Sequence, residues 1–474
     1  MGDVEWNDIQ GLVRSGYGNL KESAYLLWRF KPDRDQQQAE RWIRDLADRL
    51  TCANSDDPAR ARAAVRAINL ALTASGLAAL GVTEQERAYF SSEFREGMAP
   101  KPEPGDVIPR RTNLLGDLEN NSPKYWEWGG WKRHHHIDGL LMLFAKDEDL
   151  LASLIRHERA EMDPVAELIL TPLEGRFESK EHFGFTDGLS NPILEGTRRF
   201  NEANESEQRI SVVKPGEFIL GYENERNDCI SHGGHSGSRD LGRNGTYLVF
   251  RQLQQDVAAF RKFVKDTATS CGESEERVAA RMVGRGYDGE PLISGPAGAA
   301  AMPRKPDQPR NDFLYHFEDR FGIACPLGAH IRRANPRDTI GPDPDTALRL
   351  SKMHRIIRRG RIYGDRLKAA DPPADDGTKR GLYFICLNAN IAGQFEFIQH
   401  SWLNNRHFNR LYDEVDALGH VHARAMTVQD RPTNVRFEHL PQFITVKGGA
   451  YFFMPGINAL RALGGRADEL RSVA

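Results

Sequence analysis

Cysteine is scarce in this chain: five residues in 474 (Cys52, Cys229, Cys271, Cys325 and Cys386), an odd number with no CxxC or CxxCH spacing. A disulfide scaffold, a zinc cage, an iron–sulfur cluster and a covalent c-type haem are therefore unsupported. An excess of charge of one sign is lacking too, since 64 Lys+Arg face 67 Asp+Glu for a net charge of −3. That balance argues against a general nucleic-acid binder, whose footprint is a strongly basic surface. No apolar stretch approaches the ~18 residues of a membrane span. The opening Met1-Gly2-Asp3-Val4-Glu5-Trp6 is acidic where a secretion signal is basic, and Trp6 breaks the myristoylation pattern. These absences lead to the expectation of a soluble, cytoplasmic globular protein with no nucleic-acid or membrane partner. Its length allows two or three domains and a sizeable core.

What is present alternates. Ala24–Phe30 reads as a strand, followed by helices over Gln36–Leu50 and Ala61–Gly81, the latter on the spacing of Val65, Ile68, Leu72, Leu77 and Leu80. Gly97–Asp117, with four prolines, reads as a loop. A buried strand over Gly139–Phe144, a helix over Asp147–Arg159 and a strand over Val165–Pro172 complete a first half. The pattern then restarts, with strands at Phe218–Tyr222 and Gly245–Phe250 and a helix over Gln255–Lys265. After a Pro/Gly/Ala loop, Ser294–Asn311, come a strand at Gly381–Cys386, a helix over Gln394–Asn404 and strand-like Thr445–Phe453. A polar stretch, Arg198–Gln208, separates the halves, and a pair of related α+β domains is the natural reading.

Four stretches carry candidate chemistry. In His182-Phe183-Gly184-Phe185-Thr186-Asp187-Gly188, two glycines flank an aspartate, which allows backbone to approach a flat ligand and fixes the carboxylate's direction. A simple Asx-type turn explains the same residues. Cys325-Pro326-Leu327-Gly328-Ala329-His330 offers an imidazole with small neighbours that would leave room beside it, and Arg332, Arg333 and Arg337 follow as partners for carboxylates. A surface histidine beside a solvated basic patch is the plain alternative. In His354-Arg355-Ile356-Ile357-Arg358-Arg359-Gly360, strand alternation puts Arg358 and Arg359 on opposite faces, which allows one of them to point inward, while an exposed basic strand or turn explains the same residues. Leu382 and Phe384 share a face and suit either an apolar wall over a pocket or ordinary core packing.

Taken together and in this order, the four stretches resemble the dye-decolorising (DyP-type) haem peroxidase family, and its longer bacterial members most. The GxxDG signature stands as Gly184-Phe185-Thr186-Asp187-Gly188, and the AHxRxxNPR context of the haem-ligating histidine as Ala329-His330 through Arg337. Arg358 follows 28 residues after His330, then the Leu382/Phe384 pair. Lys214–Phe218 and Asn244–Phe250 extend the likeness over most of the chain.

The resemblance implies two tandem ferredoxin-like α+β domains with antiparallel sheets, of the dimeric α/β-barrel superfamily. The first, residues 1–200, would carry the GxxDG loop at its end, and the second, 210–474, one non-covalent haem b. His330 would be the axial iron ligand, with Arg332, Phe185, Gly188, Leu382 and Phe384 around the cofactor. Asp187 would be the distal acid–base for hydrogen peroxide and Arg358 the charge that stabilises O–O heterolysis, with Arg359 as the alternative one register away. Glu396 and Asp338 are candidates for the acceptor behind His330. An organic electron donor such as a dye or phenolic is implied, and an aspartate acid–base points to activity best below neutral pH. The alternative is a haem carrier or sensor without peroxide turnover. His134-His135-His136 makes a poor metal site, because consecutive residues on an extended segment alternate faces. Ser231–Arg239 lacks the phosphate-loop pattern and reads as a linker. The end, Arg466–Ala474, does not resemble a docking peptide for an encapsulating shell.

Overall fold

The computed structural model describes residues 3–54, 63–105, 108–132, 136–230, 240–293, 311–368 and 374–465. The linker 231–239, His134 and His135, most of the loop 294–311 and the terminus 466–474 lie outside these residues.

Ten strands form one sheet: β1 (Glu22–Phe30), β2 (Arg66–Leu72), β3 (Gly139–Ala145), β4 (Ala166–Leu168), β5 (Leu173–Arg176), β6 (Thr246–Gln255), β7 (Ile357–Arg358), β8 (Arg361–Tyr363), β9 (Gly381–Asn388) and β10 (Ile444–Met454). The order runs β8-β5-β1-β3-β2-β10-β6-β9-β7, every pair antiparallel, and β4 adds to β1. β8 also pairs with β9, so the sheet closes on itself. The first five strands and the last five join at two narrow seams, Leu72 opposite Phe453 and Arg176 opposite Ile362. This is the α+β, ferredoxin-like architecture of tandem antiparallel sheets.

The strands are apolar on both faces because both are covered. Tyr25, Leu27, Met142, Phe144, Phe250 and Ile385 fill the inside of the closed sheet. Ala24, Leu26, Trp28 and Leu143 face outward under α1 (Gln36–Arg49) and α2 (Glu148–Met162). α3 (Val257–Cys271) and the helix Glu275–Val283 cover a third core with Phe183, Phe185 and Ala329. Asp35, Asp147, Asp256 and Ser274 each cap their helix by accepting a backbone N–H, which sets the starts sharply.

Two elements depart from the sequence reading. The helix expected over Ala61–Gly81 is the strand β2 and then a short helix, Ala74–Ala79. Arg66–Leu72 is buried at six of seven positions, and a run covered on both faces has no periodicity to separate strand from helix. Phe218–Tyr222, expected as a strand, is instead an irregular run of turns that follows the 3-10 turn Pro215–Glu217. Within the expected loop Gly97–Asp117 a short helix forms at Arg110–Leu115, and the expected polar linker holds two more, Arg198–Glu202 and Glu205–Ser211. Among the described residues, no helix is long and apolar enough to cross a membrane.

The close pairing of β9 with β6 gives a direct test. A Cβ on Gly381 would lie 1.9 Å from the Leu253 carbonyl oxygen and 2.8 Å from the Tyr363 hydroxyl. Gly381→Ala must push β6 and β9 apart and should cost about 1–3 kcal/mol of stability. Chemical denaturation reads this as a lower midpoint, and an unchanged midpoint contradicts the close pairing.

Candidate active site

A cavity of about 320 Å³ lies between the outer face of β6, β9 and β10 and the helical cover, and residues from all four singled-out stretches line it. His330 opens the helix His330–Ala334. Its Nδ1 is 3.0 Å from Oδ2 of Asp416, and the other carboxylate oxygen accepts the amides of Leu418 (3.1 Å) and Gly419 (2.7 Å). Asp416 is kept ionised by His330 and Arg333 despite its burial, so it only accepts, and Nδ1 carries the hydrogen. Nε2 makes no hydrogen bond among the described residues, and the ring lines the cavity. Burial alone would lower the imidazole pKa, but the charge and hydrogen bond of Asp416 outweigh it and raise it. Burial likewise pushes Asp416 up, and the opposing pull of His330 and Arg333 leaves it below the usual carboxylate range. Gly328 does not leave room beside the imidazole as expected; it faces Leu411 and Met426. Glu396 bonds Tyr451 and Arg111, while Asp338 accepts the amides of Tyr315 and His316, so neither is the partner of His330.

Asp187 and Arg358 meet on the cavity wall. Arg358 donates from Nη1 to Asp187 Oδ1 at 2.5 Å, and the Gly188 amide donates to the same oxygen at 2.6 Å. Oδ2 has no hydrogen bond among the described residues, and a Cβ on Gly360 would lie 3.7 Å from it. Asn191 fixes the Arg358 backbone, accepting its amide (2.9 Å) and donating to its carbonyl (3.2 Å). The turn reading of the GxxDG loop is thus also correct: Asp187 caps an amide and faces the cavity. Arg359 turns to the other side and donates to the carbonyls of Leu12 and Val13, both at 2.8 Å. Phe185, Leu382 and Phe384 line the cavity as expected.

Two residues expected around the cofactor, Arg332 and Gly188, are not among those lining the cavity. Arg332 is fully buried away from the cavity, donating to Asp319 Oδ2 (3.0 Å) and to the carbonyls of Cys325 (2.7 Å) and Asp319 (2.8 Å). A guanidinium with that many partners needs no further anion. Gly188 does not line the cavity; its φ of +83° bends the chain so that its amide reaches Asp187.

Three residues were not assigned these roles from sequence. Asp416 lies 86 residues beyond His330 in an irregular segment. Glu181 accepts the amides of Phe183 and Phe185, both at 2.9 Å, and the side-chain N–H of Gln255 at 2.6 Å, which clamps the GxxDG loop to the end of β6. Arg355 is buried, donates to the Ser190 carbonyl at 2.6 Å, and makes no ion pair with a carboxylate among the described residues. Burial pushes its guanidinium down to about 9. Arg337, with no carboxylate partner among the described residues either, hydrogen-bonds Asn311 and Phe313 in the same wall.

These features fit a haem. A neutral imidazole nitrogen with a free lone pair suits iron, apolar Leu382, Phe384 and Ile398 suit a porphyrin face, and buried arginines short of anions suit propionates. Of the His134–His136 run, His136 pairs with Asp138 at 2.9 Å, and the other two histidines lie outside the described residues.

No protein-family model matches the chain. It is 27% identical over 492 residues to dye-decolorizing peroxidase msp1 of Mycetinis scorodonius, covering 96% of this chain and 87% of that protein. It is 29% identical over 425 residues to the multifunctional dye peroxidase DyP2 of an Amycolatopsis species, covering 84% and 82%. The structure superposes on the DyP-type peroxidase of Anabaena with a TM-score of 0.77 at 25% identity, over 97% of this chain and 94% of that one. The ordered motifs, the cavity they line and these likenesses make the chain similar, over most of its length, to dye-decolorising (DyP-type) peroxidases, oxidoreductases that act on hydrogen peroxide.

Proposed function

We propose that this enzyme binds one non-covalent haem b through His330 Nε2 and uses hydrogen peroxide to oxidise dyes and phenolic donors. The observation that carries the reading is the Asp187–Arg358 pair on the wall of the same cavity that receives the free nitrogen of His330. When bound, the haem supplies the electrons that break the peroxide O–O bond. Asp187 Oδ2, the oxygen left free by Arg358 and Gly188, takes the proton from one peroxide oxygen and returns it to the leaving one. Arg358 keeps a fixed positive charge where negative charge develops, in a site that needs no reorganisation because Asn191 holds its backbone. Asp416 orients His330 and increases electron donation through it. Arg355 and Arg337 would receive the propionates. Phe185, Leu382 and Phe384 would exclude water from the porphyrin faces. We also propose that residues 1–200 and 210–474 are the two domains, with the haem held by the second.

A carrier or sensor needs the imidazole and the arginines but has no use for an ionised aspartate paired with an arginine beside an apolar wall. The experiment that separates the readings adds peroxide and a dye to the haem-loaded protein. Dye oxidation over many turnovers is expected; haem that merely bleaches, with the dye untouched, contradicts the enzyme reading. In stopped flow, Asp187→Asn and Arg358→Leu should each slow the reaction with peroxide by roughly 10²–10⁴-fold while haem stays bound. Rates within twofold of wild type would remove these roles. Arg355→Leu should weaken haem retention at least about tenfold in a haem-transfer assay, the loss of one charge-assisted contact, and unchanged retention would remove Arg355 from the cofactor site.

A further inference from the structure

The cavity holds a second polar recess, away from the Asp187–Arg358 pair. The helix Arg110–Leu115 stops at Gly116, whose φ of +71° turns the chain and brings Asp117 inward. Asp117 is 1% exposed and Arg251, on β6, 4%. Arg251 donates to Asp117 Oδ1, but Asp117 Oδ2 and Arg251 Nε have no hydrogen-bond partner among the described residues, and both residues line the cavity. Arg251 lies opposite Phe384 on one side of β9, and Arg358 lies opposite Cys386 on the other. The two arginine–aspartate pairs thus flank one strand, with the two arginine backbones about 12 Å apart from two ~4.8 Å strand spacings and two ~3.4 Å rises along the strand. Leu115, Leu253 and Val446 supply an apolar wall beside Asp117 and Arg251.

A buried carboxylate oxygen without a donor costs about 1–3 kcal/mol or more, so the recess is poised to take one. Burial, opposed by Arg251, pushes the Asp117 carboxyl up to about 6, which makes it a usable proton acceptor near neutral pH. An acceptor beside an apolar wall matches a hydroxyl on an aromatic ring. We propose that the Asp117–Arg251 pair is a binding site for a small hydroxylated aromatic donor, with Asp117 Oδ2 receiving the hydroxyl proton as the donor is oxidised. This rests on the peroxidase reading above. The phenolic O–H bond would break with its proton passing to Asp117 Oδ2, and haem, when bound, would supply with peroxide the oxidant for the one electron lost. Two phenols and one hydrogen peroxide give two phenoxyl radicals and two waters, so Asp117 releases each proton into water.

The test compares haem-loaded wild type and Asp117→Asn with two donors, phenol and ferrocyanide, the second of which has no proton to lose. The ratio of phenol to ferrocyanide turnover should fall at least about tenfold in the variant, within the range of a removed general base. Without peroxide, wild type should bind phenol about tenfold more tightly than anisole, which has no hydroxyl hydrogen, in saturation-transfer NMR, and the variant should lose that preference. An unchanged turnover ratio overturns the proposal, whether both donors slow together or only water fills the recess. Should the variant not fold, equal affinity of wild type for phenol and anisole overturns it. If wild type oxidises neither donor, the peroxidase reading fails, and the phenol–anisole comparison still decides the binding site.

Discussion

The hydrogen bond between His330 Nδ1 and Asp416, 3.0 Å long, is the constraint on which the site depends. An ionised carboxylate can only accept, so the imidazole hydrogen is held on Nδ1 and the lone pair of Nε2 is directed at the cavity. The bond in turn needs Asp416 held still, which the amides of Leu418 and Gly419 do. On the far side Arg333, fully buried, donates to the carbonyls of Trp402, Asn405 and Glu414, tying the helix of His330 to the segment that carries Asp416. Of Arg332, Arg333 and Arg337, then, the first two brace the helix of His330 and Arg337 alone lines the cavity.

The opposite wall is fixed by the sheet. β7, β9 and β6 lie side by side, so Arg358, the Leu382/Phe384 pair and Arg251 occupy neighbouring strands at set intervals. The GxxDG loop is not part of the sheet, and Glu181 fastens it there through two amides and Gln255. Loop, strand and helix each contribute one group, and the distances among them follow from backbone hydrogen bonding rather than from the flexible side chains alone. The two narrow seams of the closed sheet allow the C-terminal strands to present this face while the inner face is filled by the aromatic core of Tyr25, Phe250 and Tyr383.

Much of this was legible in the residues. Asp187, His330, Arg358, Phe185, Leu382 and Phe384 all line one cavity, and alternation on β7 separated Arg358 from Arg359 as expected. What was hidden shares a physical cause. Asp416 sits in a segment without regular periodicity, and its partner is distant in sequence, so no local pattern marks it. Arg332 and Arg355 are both arginines in basic stretches, and only the packing decides which one finds carboxylate and carbonyl partners and which is left for a ligand. The strand β2 read as a helix because burial on both faces erases the alternation that distinguishes the two.

The claim that organises the account is that His330 holds the haem iron. The visible spectrum of the haem-loaded wild type, recorded beside His330→Ala prepared in the same way, tests it most directly. The account predicts a Soret band in the wild type that is lost or clearly shifted in the variant, because no other described group presents an orienting carboxylate and a free imidazole nitrogen to the cavity. A Soret band unaffected by the substitution would contradict it.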